Sequence, residues 1–303
     1  MATTGTRVDG DSRHASTVRI ISNTEQEPRW GCAAGGSVRF ACNHSSFEEC
    51  LSLAEQHGAG LEIQTFARPD VLDNSWQTIV KGYVKRLKDF QGGVSIHGAF
   101  FDLTSASPDA RVVRLAYDRY THNLRIADML GAGHVVFHAN YIASIRHPAY
   151  REQWTARQVE FWGKLAQEAE LMGITILLEN MWEYDPMILS DVLDAVNSPN
   201  LKSCLDVGHT FLYSELVLAN WVDVLRRHLV YAHLNNNPGH WDEHHPLGEG
   251  AINYAAVLET LRAVEPPIIM TLEMDSVEDI KRSLAFFDVG GVERQTVAVK
   301  KAG

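Results

Sequence analysis

The feature that most limits what this chain can become is an alternation running through most of its length. Short apolar, β-branched runs take turns with longer amphipathic segments. The runs are VRFACN (38–43), LEIQTF (61–66), VSIH (94–97), HVVFH (134–138), ITILLEN (174–180), KSCLDV (202–207), LVYAHL (229–234) and IIMTLEM (268–274). Segments with helical periodicity lie between and after them, at 47–59, 109–132, 151–173, 186–197, 218–228, 254–264 and 277–287. Gly58, Gly131 and Gly173 stand where helix C-caps belong. Eight strands alternating with helical segments predict a single α/β domain of the (β/α)8 TIM-barrel type, of ordinary size for that fold. A doubly wound open sheet is the main competitor, and the lack of a GxGxxG after the first run counts against it.

Residues 1–37 are polar and glycine-rich, with only VRII to suggest structure, and are expected to form an N-terminal arm. The barrel domain is expected over 38–290 and a tail over 291–303. No run of eighteen apolar residues offers a membrane span. The N-terminus lacks the apolar core of a signal peptide, so a cytoplasmic location is the default expectation. The cysteines Cys32, Cys42, Cys50 and Cys204 form no CxxC pair, and Cys204 reads as a small core residue. A metal would therefore have to be held by histidine and carboxylate. A net charge of −11, from 27 basic and 38 acidic residues, argues against nucleic-acid binding by bulk charge.

In a barrel of this kind, functional groups gather at the C-terminal ends of the strands. The third strand ends at His97, the fourth at His138 and the fifth at Glu179. The sixth ends at Asp206 with His209 three residues on, and the eighth at Glu273. The seventh ends at His233 and opens into HLNNNPGHWDEHHPLGEG (233–250), which brings Asp242 and His244 and holds four of the chain's 14 histidines. Each strand-end group breaks an apolar run, where an unpaired ionised side chain costs several kcal/mol to bury. One histidine closing a strand is more often a hydrogen-bonded structural residue, and Asp206 alone could cap the next helix. Nine such residues on one mouth call for divalent cations.

These stretches carry a resemblance. SIHGAFFDL, VVFHANY, LLENMWE, CLDVGHTF, HLNNNPGHWDEHHPLGEG and TLEMD resemble the xylose-isomerase-like barrel superfamily over about residues 38–290. That superfamily contains sugar isomerases and epimerases, inositol-pathway dehydratases and endonuclease IV. In wording the chain is most similar to the group labelled sugar phosphate isomerase/epimerase. The resemblance to isomerases and epimerases implies one divalent ion on Glu179, Asp206, His233 and Glu273. The resemblance to endonuclease IV implies five further ligands and three zinc ions. His97 and His138 would then join Glu179, which bridges to the central ion, and His209, Asp242 and His244 would hold a third.

The chain also departs from both patterns. Where endonuclease IV has proline and glycine after its fourth-strand histidine, this chain has HANY; after its EN it has MWEY; and Gly208 replaces a cysteine. Sugar epimerases usually carry an arginine in the seventh loop, and none lies between His233 and Gly250.

Two chemistries follow. Clustered ions, zinc with manganese or iron as alternatives and up to three per chain, can activate a water for phosphoester hydrolysis. Alternatively, Glu179 and Glu273 can exchange a proton with the carbon of a sugar or sugar phosphate, as in isomerisation or epimerisation. Nine ligands exceed what an isomerase needs, which favours hydrolysis as the expectation; abasic-site cleavage of DNA ranks below both. Glu179, Glu273 and His209 are the catalytic candidates. Phe100, Tyr141, Arg146, Trp182, His240 and Trp241 are candidate contacts for a small sugar-like or phosphorylated substrate, and Arg68 joins Arg146 as a candidate phosphate clamp. Aromatics on the rim loops, Phe101, Tyr184 and Tyr213 among them, favour a partly enclosed pocket over an open duplex groove.

Overall fold

In the computed structural model, which describes residues 38–287, the eight predicted strands close into a parallel barrel in sequence order, with β1 paired to β8. They are β1 (Val38–Cys42), β2 (Gly60–Ile63), β3 (Val94–His97), β4 (His134–His138), β5 (Thr175–Glu179), β6 (Leu201–Asp206), β7 (Leu229–Leu234) and β8 (Ile269–Leu272). The helices are α1 (Phe47–His57), α2 (Pro69–Asn74), α3 (Trp76–Leu87), α4 (Ala110–Leu130), α5 (Pro148–Leu171), α6 (Met187–Val196), α7 (Val207–Tyr213), α8 (Leu218–Leu225), α9 (Tyr254–Arg262) and α10 (Val277–Ser283). The expected arm over 1–37, the tail over 291–303 and the last three residues of the expected barrel domain lie outside the described residues. No helix among the described residues is long and apolar enough to cross a membrane.

Gly58 and Gly131 cap α1 and α4 in the left-handed region, at φ 63° and 66°, which glycine adopts without steric cost. The helix read from residue 151 starts earlier, at Pro148. Proline suits the first helical turn, and His147 Nδ1 accepts the Ala149 N–H at 3.2 Å. Two features escape the sequence reading. The pair α2–α3 supplies the crossover after β2, and α7 begins directly after Asp206 with no loop between. Asp206 Oδ1 accepts the His209 N–H at 2.5 Å, so the strand-end aspartate is also the N-cap that turns the chain into the helix carrying His209.

Alternation along each strand sorts side chains into two compartments. Outward-facing residues such as Phe40, Leu61, Ile96, Phe137, Leu178 and Leu272 join buried Trp154, Trp162 and Trp221 in the shell beneath the helices. Each such side chain contributes roughly 1.5–3 kcal/mol by leaving water. A separate, smaller cluster of Val136, Leu177, Cys204 and Tyr231 fills the barrel interior. This interior tier is apolar beneath β4–β6 and polar across β2, β3, β7 and β8. On the polar side the Tyr231 hydroxyl donates to Glu62 Oε2 at 2.7 Å, receives Thr271 Oγ1–H at 2.7 Å and lies 2.8 Å from Ser95 Oγ.

Candidate metal centre

Strand register sets the first contacts of the mouth. His138 pairs with Glu179 across β4–β5, and Asp206 with His233 across β6–β7. All nine predicted residues fall into three sets, the first two sharing Glu179: His97, His138 and Glu179; Glu179, Asp206, His233 and Glu273; and His209, Asp242 and His244. In each set one candidate ligand atom per residue lies within 4.8 Å of the others.

The hydrogen bonds say which imidazole nitrogen faces inward. His97 Nδ1 lies 3.0 Å from the Gly98 carbonyl oxygen, an acceptor only, so Nδ1 carries the proton and Nε2 presents a lone pair. That lone pair faces Glu179 Oε2 at 3.3 Å, and His138 Nε2 faces the same oxygen at 3.0 Å. His209 Nδ1–H donates to the Asn180 carbonyl at 2.8 Å, which turns Nε2 toward Asp242 Oδ2 at 3.1 Å. His233 Nδ1 lies 2.9 Å from Glu179 Oε1 and 3.1 Å from Glu273 Oε2. Imidazole lone pairs aimed at carboxylate oxygens at these distances repel unless a proton or a cation lies between them. Within this cluster His138 Nε2, Glu179 Oε2 and Asp242 Oδ1 are buried with no hydrogen-bond partner. Nitrogen and carboxylate donors so arranged fit zinc, and also manganese or iron.

The electrostatics favour positive charge at this place. Burial opposes ionisation of Glu179, but the facing His233 and His138 outweigh it and hold the carboxyl well below its usual range. The same balance lowers Glu273 to about 2, with His233 and then His244 as the opposing partners. Burial also works against charge on His244, yet Asp242, Glu273 and Asp206 raise it to about 9. Asp206 goes the other way: its burial dominates and pushes it up to about 6. Cys204 lies within reach of Glu179 and His233, but burial pushes its thiol up, so it stays a protonated core residue.

Asp206 is fixed from both sides, since Oδ2 accepts Asn235 Nδ2–H at 2.9 Å. This explains Gly208: a Cβ there would fall 2.0 Å from Asn235 Oδ1. A cysteine at position 208 would displace the amide that holds Asp206.

Other expected contacts divide. Phe100 stacks on His138 at a ring separation of 5.0 Å and stands edge-on to His97 at 5.3 Å, so it lines the first set. Trp182 and Trp241 stand open on the rim, 44% and 73% exposed, and His240 is exposed beside Trp241. Tyr141 and Arg146, expected at the substrate, are committed elsewhere. Tyr141 is 1% exposed and packs edge-on against Trp154. Arg146 donates to Glu215 at 2.7 Å with its guanidinium 3.5 Å from the Tyr184 ring centre, and Arg68 pairs with exposed Asp70.

Sequence reading missed three groups at the site. Gln64 Nε2–H donates to Glu273 Oε1 at 2.6 Å. Buried Glu183 accepts the Met181 and Tyr141 N–H groups at 2.6 and 3.3 Å, and burial raises its pKa. Glu62 reaches His233 Nε2 at 3.0 Å. The signal for Glu62 was present, an acid inside the apolar run LEI, but mid-strand rather than at a strand end.

A family model described as xylose isomerase-like TIM barrel matches residues 46–288. An uncharacterized protein of Methanocaldococcus jannaschii, MJ1311, is 26% identical over 230 residues, which cover 69% of this chain and 78% of its own. The solved TTHB071 protein of Thermus thermophilus, soaked with ZnCl2, is 29% identical at a TM-score of 0.71, over 86% of this chain and all of that one. A D-tagatose 3-epimerase-like protein superposes at a TM-score of 0.70 with 23% identity, over 82% of this chain and 96% of that one; at this identity the likeness concerns the fold.

Proposed function

The chain belongs to the xylose isomerase-like TIM barrel family, and from that premise we propose that it is a divalent-metal-dependent isomerase or epimerase of a small sugar-like substrate. The observation that carries this reading is the approach of two carboxylates to one point. Glu179 from β5 and Glu273 from the end of β8 both reach His233 Nδ1, at 2.9 and 3.1 Å. Glu179, Asp206, His233 and Glu273 would hold the ion. The zinc-soaked Thermus relative supports zinc as a metal to try first. When bound, the cation supplies Lewis-acid polarisation of a substrate carbonyl and so acidifies the neighbouring C–H.

The chain's own groups then move the proton. Glu273, held below the usual carboxylate range and oriented by Gln64, is ionised at neutral pH and takes the proton from carbon. The C–H electron pair passes into the enediolate. Glu179, also ionised at rest, takes a proton from water and delivers it to the opposite face, which inverts that carbon, or to the adjacent carbon, which isomerises the sugar. Glu273 releases the proton it took to water, so both carboxylates are restored. Phe100, Trp182 and Trp241 give the mouth apolar faces suited to a sugar ring.

The test is solvent exchange. In deuterated water with zinc or manganese, a panel of ketoses that includes D-tagatose should gain deuterium next to the carbonyl, and Glu273→Gln should abolish the gain. No exchange on any ketose sinks this reading. A second reading, phosphoester hydrolysis, is favoured by the two further sets, His97–His138–Glu179 and His209–Asp242–His244, which offer room for additional ions. Close to three zinc ions per chain by elemental analysis, with turnover of a generic phosphodiester and no ketose exchange, would move the assignment there. The acidic net charge and the departures at HANY, MWEY and Gly208 set abasic DNA behind both.

A further inference from the structure

One buried acid beneath the mouth has no place in the proton transfer. Glu62 lies mid-strand in β2 and is fully buried. Its Oε2 takes both contacts the carboxylate makes: the Tyr231 hydroxyl at 2.7 Å and His233 Nε2 at 3.0 Å. Oε1 has no hydrogen-bond partner. Tyr231 is braced in turn by Thr271 and Ser95, at 2.7 and 2.8 Å, and carries the Arg39 guanidinium 5.6 Å over its ring. The outer nitrogens of His97 and His209 meet backbone carbonyls, whereas that of His233 meets a carboxylate.

We infer that Glu62, clamped by Tyr231, is a positioning residue for His233. It keeps the imidazole proton on Nε2 and aims the Nδ1 lone pair between Glu179 and Glu273. The inference rests on the reading of His233 as a metal ligand. An anionic partner on the outer nitrogen orients a ligating imidazole and strengthens it as a donor, so its loss weakens metal binding without removing a ligand.

The test measures zinc affinity of the full chain by competition with a chromogenic chelator, beside thermal melts of the metal-stripped proteins. Glu62→Gln, which keeps shape and removes charge, should bind zinc roughly 10–100-fold more weakly, and Tyr231→Phe less so, with metal-free melting temperatures close to wild type. An acid that only balances charge in the fold gives the reverse pattern: a lower metal-free melting temperature and an unchanged zinc constant. That pattern overturns the inference while leaving the metal site standing. A wild-type chain that takes up no zinc removes the metal reading and this inference with it. If Glu62→Gln does not fold, Tyr231→Phe decides, and wild-type zinc affinity in that variant overturns the role.

Discussion

The inner set, Glu179, Asp206, His233 and Glu273, and the outer set, His209, Asp242 and His244, share one mouth but are held by different means. The inner four stand at strand ends, between 0% and 5% exposed, and their placement is as rigid as the barrel's hydrogen-bond ladder. Two of the outer three ride on the long connection between β7 and α9, with Asp242 and His244 side chains 24% and 23% exposed. That connection is anchored by Asn236. Its Nδ2 donates to the Leu247 and Ile252 carbonyls at 2.8 and 3.1 Å, and its Oδ1 accepts the Ile252 N–H at 3.0 Å. Rigid elements fix ligand geometry more closely than loops do. On the proposed reading, the inner set is therefore the better candidate seat for a tightly held ion, and the outer set the more adjustable one.

The most severe way to break this comparison is Glu179→Gln, because Glu179 belongs to both the inner set and the His97–His138 set. We expect zinc binding to weaken by about 100-fold or more, beyond the range for loss of a supporting group, with little zinc kept after dialysis. Zinc content equal to wild type by elemental analysis would show that the inner set is not the main seat.

Next comes Gly208→Ala. Its methyl group would meet Asn235 Oδ1 at 2.0 Å and push it from Asp206. Overpacking of this kind costs about 1–3 kcal/mol, seen as a melting point lower by a few degrees. Zinc affinity should fall with it. A neutral outcome would mean that Asn235 has somewhere else to go.

A smaller, pH-dependent effect separates the outer set. His244 is raised to about 9 from an ordinary 6.5, so its contribution to metal-free stability is fully present below pH 6.5 and lost as pH rises through about 9. The melting difference between wild type and His244→Asn should therefore be greatest in mild acid and vanish above pH 9. A difference that grows with pH contradicts the Asp242–His244 pairing. Smallest of all is Arg146→Ala. An exposed pair with Glu215 and a stack on Tyr184 should cost under about 1 kcal/mol, and neither zinc content nor ketose exchange should change.

Much of this site was legible before folding. The six strand-end groups stand out as polar interruptions of apolar runs, His209, Asp242 and His244 stand just beyond two of those ends, and the barrel delivers all nine to one rim. What was not legible has a common cause, which is dependence on partners remote in sequence. In the sequence Gly208 is only a departure from a pattern; its reason is Asn235, packed against it from β7's end. Tyr141 and Arg146 read like rim contacts, but side chains on a loop can turn inward or outward, and packing on Trp154 and Tyr184 turned them away. Glu62 interrupts an apolar run as the strand-end acids do, but it stands mid-strand, and its partners Tyr231 and His233 are remote in sequence.

The sequence by itself determined the barrel and its functional end. Apolar runs alternating with amphipathic segments admit few closed arrangements, and parallel strands joined by helices place all their C-terminal ends on one side. Only the tertiary structure decided the chemical face of each histidine. Which imidazole nitrogen turns inward depends on what occupies the other, and for His233 that partner is Glu62, 171 residues away along the chain.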